Sequence, residues 1–490
     1  MKTTFHIQPT AAQTADKTKS SFVQRHLGHL GLAMPAVLTL LTILSTGTAQ
    51  AATYTWDGST DNTWNDGANW DTNTAPVAND RLVFDDLAPT PGATLNNDTT
   101  ADTVYTLEFR TGSDYNLTGN RITLGSDGTN DLLSNTVGDN TISLDVINGG
   151  NSDYKVNNGT LTMAGIVSGG GIVIRGNGTL ILTNAANSFT TLAHVSTGNV
   201  QFDTGAFGTN YMRLGWNTTT NGIEYIGTGE TINNQIYIGR NNGNTNATYT
   251  GGSIISNTGS GTLTFSNAEF NPTLNEASSR DIEFNGTSDI EVQGVIRNND
   301  GSNGAGIVSL TKDGSNTLTL SGANTYTGDT NIDNGTLEIQ NSEALGTGLV
   351  RMNGGGVLQF GANGLDLSEN VRSQNVGDNR TIRLDLAGTN TGTLSGQLDI
   401  RNTGAGNFSI DVGADDTLSV TSVIIGDGSA GLTKLGAGEL SVVLDNTGYT
   451  GITKVDGGTL VLGNNTVNNT NHSSSGFEIN NGSTLQFERG

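Results

Sequence analysis

The sequence predicts an all-β protein whose short strands stack into a solenoid, and three observations carry this prediction. Segments of about four residues alternate between polar and large apolar side chains, as in Thr317-Leu318-Thr319-Leu320, which is typical of half-buried strands. Turns rich in Gly, Asn and Asp separate these segments, and the 490 residues include 69 Gly, which supply the positive φ angles of tight turns. Similar segments also recur along the chain, as they do in repeat folds.

A solenoid explains how strands this short can be stable. Each strand would pair with the coils before and after it, and the inward Leu, Ile, Val and Phe would form one continuous core. Coils of roughly 20–25 residues would divide the chain into about 18–22 coils. Asn and Thr at equivalent turn positions would form side-chain ladders. A β-sandwich is the rival architecture, but the sequence lacks its long Greek-key connections.

The composition excludes several classes of function. The chain has 22 Lys and Arg against 46 Asp and Glu, and its formal net charge of −24 repels nucleic-acid backbones and anionic lipid. We therefore expect no nucleic-acid partner. The absence of Cys excludes disulfides, Cys-bound zinc, iron–sulfur clusters and a thiol nucleophile. Hydrophobic residues make up only 33%, which is also compatible with disorder, but the regular order of the strand-like segments favours a fold.

The first 51 residues have the pattern of a targeting segment. A basic stretch precedes an apolar run over residues 30–44 and then the small residues of Ala49-Gln50-Ala51. This order is typical of a secretory signal peptide, and the apolar run is shorter than the roughly 20 residues of a membrane-spanning helix. The sequence therefore predicts a signal peptide over residues 1–51, cleavage near Ala51, and a secreted or cell-surface protein.

Residues 52–100 differ in composition from the remainder. They contain Trp56, Trp64 and Trp70, which are three of the four Trp of the chain. Two roles are open for these rings, namely stacking on the sugar rings of a glycan, or capping the open end of a solenoid, which terminal repeats need. The N-terminal cap is the favoured interpretation. The solenoid itself is predicted over residues 101–490.

Three segments align as repeats, at residues 171–203, 306–339 and 431–463. Each contains a strand with a basic residue, a Gly-rich turn, a second strand, an aromatic residue and a third strand after a further Gly. The residues that define the pattern are Lys312, Tyr326, Gly335 and Leu337 in one copy and Lys434, Tyr449, Gly458 and Leu460 in another. In the weakest copy, Arg175 and Phe189 align with the Lys and the Tyr.

This pattern resembles the autotransporter-associated β-strand repeat, also called the passenger-associated transport repeat, of bacterial surface proteins. The resemblance implies a right-handed parallel β-helix of pectin-lyase-like architecture without an evident active site. It also implies a surface location associated with the outer membrane, and the secretion machinery, glycans, or host or neighbouring cell surfaces as partners. Members of the family end in an outer-membrane barrel, whereas this chain stops at Gly490, so we expect a fragment of a longer protein.

The sequence offers little for histidine or metal chemistry. Only His194 and His472 follow the predicted signal peptide, and neither lies near a Gly-x-Ser-x-Gly motif, as a Ser–His hydrolase would require. No HExxH motif, phosphate-binding loop or EF-hand loop occurs. We therefore expect no catalytic residue, no metal site and no cofactor, and the resemblance favours a non-enzymatic, adhesin-like stalk.

Carboxylates are the basis of the alternative function, a β-helical polysaccharide lyase or glycoside hydrolase. Glycoside cleavage needs two carboxylates roughly 5–10 Å apart, and an i, i+2 spacing places two of them on one face of a strand. The candidates are the pairs Asp281/Glu283 and Asp289/Glu291 with Arg280 and Arg297 as basic partners, and the group Asp411, Asp415 and Asp416. The simpler interpretation is that these are solvated outward positions of ordinary strands.

Overall fold

The computed structural model describes residues 51–489 with gaps. The gaps are residues 87–92, 111, 113, 126–131, 191, 196, 208–210, 215–220, 239–251, 267–268, 273–278, 299–305, 374–378, 402–407, 427–430, 443–447, 465–473 and 475. The chain divides into two units, Met1–Ala51 and Ala52–Gly490, and the description below concerns the second. The predicted signal peptide, apart from Ala51, lies outside the described residues.

The strands form where the sequence alternates. In the strand Thr317–Leu320, both Leu side chains are buried and both Thr side chains are partly exposed, because successive residues of a strand point to opposite faces. The described strands run parallel to their neighbours. Helical structure in the described part of the chain is a short 3-10 helix, Gly67–Asn69. No helix among the described residues is long and apolar enough to cross a membrane.

The strands that the structure describes form four sheets. The first, of 15 strands, comprises Thr94–Asn97, Asn116–Gly119, Asn140–Ile142, Thr160–Met163, Thr179–Leu182, Asn199–Phe202, Asn221–Tyr225, Ser253–Asn257, Arg280–Gly286, Val308–Lys312, Thr330–Ile332, Val350–Met352, Val371–Ser373, Leu398–Ile400 and Ile424–Gly426. The second, of 13 strands, comprises Thr53–Trp56, Asp80–Phe84, Thr103–Phe109, Ile122–Leu124, Leu133–Asn135, Val146–Asn148, Ser152–Val156, Val167–Gly169, Ile172–Arg175, Leu192–Val195, Met212–Leu214, Ile236–Ile238 and Phe270–Pro272. The third, of 11 strands, comprises Glu230–Ile232, Leu263–Phe265, Ile290–Val292, Thr317–Leu320, Thr336–Ile339, Val357–Phe360, Arg380–Leu384, Phe408–Val412, Leu432–Leu435, Ile452–Val455 and Gly476–Ile479. The fourth, of 6 strands, comprises Leu365–Leu367, Thr391–Leu394, Thr417–Val420, Glu439–Val442, Thr459–Asn464 and Thr484–Arg489.

Neighbouring strands of one sheet come from successive turns of the chain, so the fold is a parallel β-solenoid and the predicted β-helix is confirmed. Thr160 pairs with Thr179, and Thr179 with Asn199, so these coils are about 20 residues long. Asn221 pairs with Ser253, so this coil is 32 residues long (253 − 221) and its strands still pair in register. The 15 strands of the first sheet correspond to about 14 turns. These turns span residues 94–426, so the average coil has about 24 residues, within the expected 20–25. The expected 18–22 coils refer to the longer stretch after residue 51.

The core is a continuous column of inward side chains. In the third sheet, Leu318, Leu337 and Leu358 take equivalent positions on three neighbouring coils, and all are fully buried. Ile382 and Ile410 continue the same column. Each of these side chains is covered by its equivalents on the adjacent coils. Stacking therefore buries apolar surface that a single coil would leave exposed.

Candidate functional site

Lys312 points into the solenoid although it carries a charged group. It ends the strand Val308–Lys312 and is fully buried. Its Nζ atom donates hydrogen bonds to the backbone carbonyls of Asp313, Gly314 and Asn334, at 2.6, 3.0 and 3.2 Å. The first two carbonyls belong to the turn that follows the strand, and the third belongs to the equivalent turn of the next coil. The ammonium group therefore connects two coils at one corner.

Lys434 makes the same contacts in another repeat. It is fully buried, and its Nζ atom donates to the carbonyls of Leu435, Gly436 and Gly457 at 2.6, 2.9 and 3.2 Å. Burial lowers the pKa of both lysines to about 8, because removal from water penalises the charged amine. The three carbonyl acceptors oppose this penalty, since hydrogen bonds from an ionised donor are strong. The lysine of the repeat is thus a buried corner residue.

The glycine of the pattern leaves the space that this corner needs. Gly335 has a φ of +66° and Gly458 a φ of +58°, in the left-handed region where a side chain is unfavourable. A Cβ atom on Gly335 would lie 2.7 Å from the Lys312 Nζ atom, so any other residue would displace the ammonium group. Leu337 and Leu460, two residues after these glycines, are buried in the core.

Arg175 does not take the position of the two lysines, and the alignment made from the sequence is wrong at this point. The lysines each precede a turn Gly of positive φ by two residues, whereas Arg175 directly precedes Gly176. Neighbouring residues of a strand point to opposite faces. Arg175 is accordingly exposed and pairs with Asp153 at 3.1 Å. Ile174, one residue earlier, is the buried equivalent of the lysines.

Tyr326 and Tyr449 are buried at another corner. The Tyr326 hydroxyl shares a hydrogen bond of 2.6 Å with the Thr330 hydroxyl. The Tyr449 hydroxyl accepts from the Leu432 amide at 2.8 Å and donates to the Ile452 carbonyl at 2.9 Å. Burial raises the pKa of both tyrosines, so both hydroxyls stay protonated and available as donors. The tyrosines are therefore structural residues of the corner.

A buried asparagine of the repeat was not singled out from the sequence. Asn324 lies two residues before Tyr326 and is buried. Its Oδ1 atom accepts a hydrogen bond from the Ile296 amide at 2.7 Å, and its Nδ2 atom donates to the Ala344 carbonyl at 2.5 Å. Ile296 belongs to the preceding coil and Ala344 to the following one. A single side chain therefore joins three successive coils.

Asn187 has the same role in the first repeat. Its Oδ1 atom accepts from the Val167 amide at 2.8 Å, and its Nδ2 atom donates to the Ala206 carbonyl at 3.1 Å. It lies two residues before Phe189, which is also buried. The spacing of Asn and an aromatic residue, i and i+2, is the sequence signal that could have identified both asparagines.

The three tryptophans of the N-terminal region are packed inside the protein. Trp56, Trp64 and Trp70 are 1%, 0% and 0% exposed. Trp56 and Trp70 meet edge to face with their ring centroids 5.1 Å apart, and Trp70 Nε1 donates to the Trp64 carbonyl at 2.9 Å. Trp64 packs on Phe84 at 5.8 Å. A glycan needs an exposed ring face, so burial of all three rings favours the capping role over glycan contact.

Six of the seven carboxylates considered for an enzyme accept hydrogen bonds from donors within the protein. These donors are Thr311 for Asp281, Asn285 for Glu283, the Thr317 amide for Asp289, Gln293 for Glu291, Arg383 for Asp411 and Asn390 for Asp416. Asp415 has a φ of +67° and forms part of a turn. These contacts fit a structural role for the carboxylates. The simpler interpretation, that all of them are solvated outward positions, is wrong for Asp416, which is 1% exposed.

The two basic candidates, Arg280 and Arg297, lie in different environments. Arg280 is buried on the inward face of its strand, whereas Asp281 is on the outward face. Arg297 pairs with Glu269 at 3.0 Å. The pair Asp281/Glu283 lies in the first sheet, whereas the pair Asp289/Glu291 lies at the start of a strand of the third sheet. The two pairs therefore belong to different sheets.

The structure describes little of the two histidines. His194 lies in the strand Leu192–Val195, but its side chain is outside the described residues, as is all of His472. The expectation that neither is catalytic stays a prediction. Within the described ranges, no group of three or more His, Asp and Glu side chains is arranged to hold a metal ion.

Lys312→Met is expected to lower the free energy of unfolding by about 1–3 kcal/mol, because buried carbonyls lose their donor. Arg175→Met is the matched control, since sequence alignment equates the two positions. Its expected effect is below about 1 kcal/mol, because its ion pair is exposed to solvent. Urea denaturation followed by circular dichroism measures both. A larger loss for Arg175→Met than for Lys312→Met would contradict the corner assignment.

Asp281 is expected to make stability depend on pH. Burial raises the pKa of this carboxyl from 3.8 to about 6, so the folded state binds more protons than the unfolded state between about pH 4 and 6. The contribution of Asp281 to the free energy of unfolding therefore falls as the pH rises through this range. Asp281→Asn should be more stable relative to the natural protein at pH 7 than at pH 4. If the difference in free energy of unfolding between Asp281→Asn and the natural protein is the same at pH 4 and pH 7, Asp281 is not a source of the pH dependence.

A known repeat family matches the segments that contain the buried corner residues. The family profile of the passenger-associated transport repeat matches residues 173–201, 310–339 and 432–462. The three ranges fall within the three repeats recognised from the sequence. They contain both buried lysines and both buried tyrosines.

Part of the chain is similar in sequence to a bacterial adhesin. The chain is 35% identical over 225 residues to the adhesin BmaC autotransporter of Brucella suis biovar 1 (strain 1330). The match covers 43% of this chain and 6% of the relative, so the chain spans only a small part of that protein's length. No solved structure matches the chain. The chain therefore carries three passenger-associated transport repeats, which fold as coils of a parallel β-solenoid.

Proposed function

We propose that the chain is part of a secreted bacterial surface protein, in which it acts as a non-enzymatic, adhesin-like β-helical passenger or stalk. The observation that carries the proposal is the parallel stacking of coils through the 15-stranded sheet. A stack of this kind holds an extended surface in a fixed arrangement and needs no reactive group to do so. The passenger-associated repeats and the similarity to an autotransporter adhesin support the same role.

The charged groups of the surface fit a structural role. Arg351 pairs with Asp329 at 2.7 Å, and Arg372 pairs with Asp399 at 2.9 Å. In both pairs the two residues come from neighbouring coils of the first sheet. Such contacts contribute modestly to stability when they are exposed.

The proposed secretion route and binding partners follow from the role of a surface stalk. The segment 1–51 would direct the protein into secretion, with cleavage near Ala51, and the secretion machinery would be a transient partner. Extracellular or cell-surface glycans, or the surfaces of host or neighbouring cells, are the proposed binding partners. The net charge of −24 argues against nucleic acid as a partner.

A polysaccharide lyase or glycoside hydrolase is the competing function, and the contacts of the candidate carboxylates do not favour it. Incubation of the purified protein with pectin and other acidic glycans tests it directly. We expect no new reducing ends and no unsaturated products. Product release that is abolished by Asp281→Asn would overturn the proposal of a non-enzymatic stalk.

Deletion of one whole coil, residues 330–349, is expected to leave the protein folded and displayed on the cell surface. Thr330 pairs in register with Val350, so this deletion places Val350 where Thr330 was and keeps every strand in register. Deletion of residues 340–349 is the matched control, because it removes a corner and breaks the register. Antibody labelling of intact producing cells measures display.

Circular dichroism of the two purified deletion variants measures folding. The whole-coil deletion should keep the β-sheet spectrum of the natural protein, and the half-coil deletion should lose it. Loss of display in both variants while the whole-coil deletion remains folded would contradict the role of the coils as an exchangeable stalk.

A further inference from the structure

An aromatic cluster lies on the outer face of the second sheet. Arg213, in the strand Met212–Leu214, pairs in register with Tyr237 of the next coil, and Tyr211 directly precedes the strand. The Arg213 Cζ atom lies 5.8 Å from the Tyr211 ring centroid and 5.6 Å from the Tyr237 centroid. The two rings meet edge to face at 5.4 Å. A guanidinium at these distances is held by cation–π attraction, and we term the three residues the Tyr–Arg–Tyr cluster.

The charge of Arg213 is not balanced by an acid, unlike that of the other outward arginines whose side chains the structure describes. Arg121, Arg175 and Arg351 each pair with an Asp, as expected in a chain with 46 acidic and 22 basic residues. Within the described residues, no carboxylate forms an ion pair with Arg213, and its Nε atom is buried without a hydrogen-bond partner. A buried polar atom without a partner costs free energy. The cation–π contacts stabilise the guanidinium but leave its charge unneutralised.

The polar groups beside the cluster are held in a defined arrangement. Glu269 accepts hydrogen bonds from Arg297 Nη2 at 3.0 Å and from Gln235 Nε2 at 3.5 Å. Gln235 Oε1 in turn accepts from the Tyr237 hydroxyl at 2.9 Å. The charge of Glu269 is thus directed to Arg297 rather than to Arg213. These contacts leave a positive group between two aromatic rings, next to ordered amide and hydroxyl groups.

These features match a sugar that carries a carboxylate. A guanidinium binds a carboxylate through two parallel hydrogen bonds, and Arg213 has the unpaired charge for it. Tyr211 is 37% exposed, so part of its side chain is accessible to a pyranose, while the amide of Gln235 and the hydroxyl of Tyr237 are groups that can bind sugar hydroxyls. An acidic peptide would use the guanidinium but would have no ring to cover Tyr211.

We propose that the Tyr–Arg–Tyr cluster binds carboxylate-bearing sugar units, such as uronic or sialic acids, of an extracellular glycan. This inference rests on the proposed surface function and names the ligand class that it would serve. The cluster is formed by residues of two successive coils, so its geometry depends on the solenoid. The overall negative charge of the protein would repel an acidic glycan elsewhere, which confines binding to the cluster.

Isothermal titration calorimetry of the purified protein tests the proposal. The probes are trigalacturonate and 3′-sialyllactose, and the matched neutral probes are methyl-esterified trigalacturonate and lactose. At least one acidic probe is expected to bind with a Kd of about 1 mM or tighter. Arg213→Ala and Tyr211→Ala should each weaken this binding at least about tenfold. Arg121→Ala, which removes an outward arginine that is paired with Asp102, is the control and should bind as the natural protein does.

Several results would overturn the proposal. One is failure of both acidic probes to bind at concentrations up to about 10 mM. Another is binding of the neutral probes as tight as that of the acidic probes. A third is an equal loss of binding affinity in Arg213→Ala and Arg121→Ala, when circular dichroism shows that both variants are folded. Tighter binding of hexaglutamate than of either sugar would assign the cluster to an acidic peptide instead. The two proposals can fail separately. Absence of sugar binding by the purified protein would reject the ligand proposal and leave the surface function to be tested by cell-surface labelling. Loss of cell-surface display by a protein that still binds the sugar would reject the surface function alone.

Discussion

Parallel pairing between coils is the interaction on which the rest of the structure depends. A strand such as Thr317–Leu320 finds its backbone partners only on the coils before and after it. The register is strongly determined, because a slip of one residue would turn every inward Leu towards solvent. Extra residues between two paired strands leave this register unchanged. Coils of different length can therefore stack on one another, as the pairing of Asn221 with Ser253 illustrates.

The corners are where strand pairing ends, and buried side chains connect the coils there. Lys312 and Lys434 supply donors to turn carbonyls of two coils, and Asn324 supplies both a donor and an acceptor to adjacent coils. On the coils next to Lys312, the equivalent positions hold Phe284 and Ile332. The repeat pattern therefore describes one type of corner, and other coils of the same solenoid fold without it. This explains why recognisable repeats are few while the fold is continuous.

The strands could be predicted from the sequence, but the position of every corner residue could not. Period-two alternation identified Thr317–Leu320 together with its buried side, because that period follows directly from strand geometry. Arg175 was misplaced because alignment by residue type ignores the spacing to the next turn Gly, which decides the face of a strand. The pairing of Arg213 with Tyr237 could not be predicted, since it depends on the length of the coil between them. Coil length is set by the loops, which carry no periodic signal.

In-register parallel stacking can be measured directly because the chain has no Cys. Thr319 and Glu338 are outward register partners on adjacent coils, and the spacing of paired strands, about 4.8 Å, suits a disulfide, which spans about 4.4–6.8 Å between Cα atoms. The double variant Thr319→Cys/Glu338→Cys should form an intrachain disulfide under mild oxidation, as detected by mass spectrometry. The shifted pair Thr319→Cys/Gln340→Cys should remain largely reduced. Efficient oxidation of the shifted pair, with none in the register pair, would contradict the stacked solenoid.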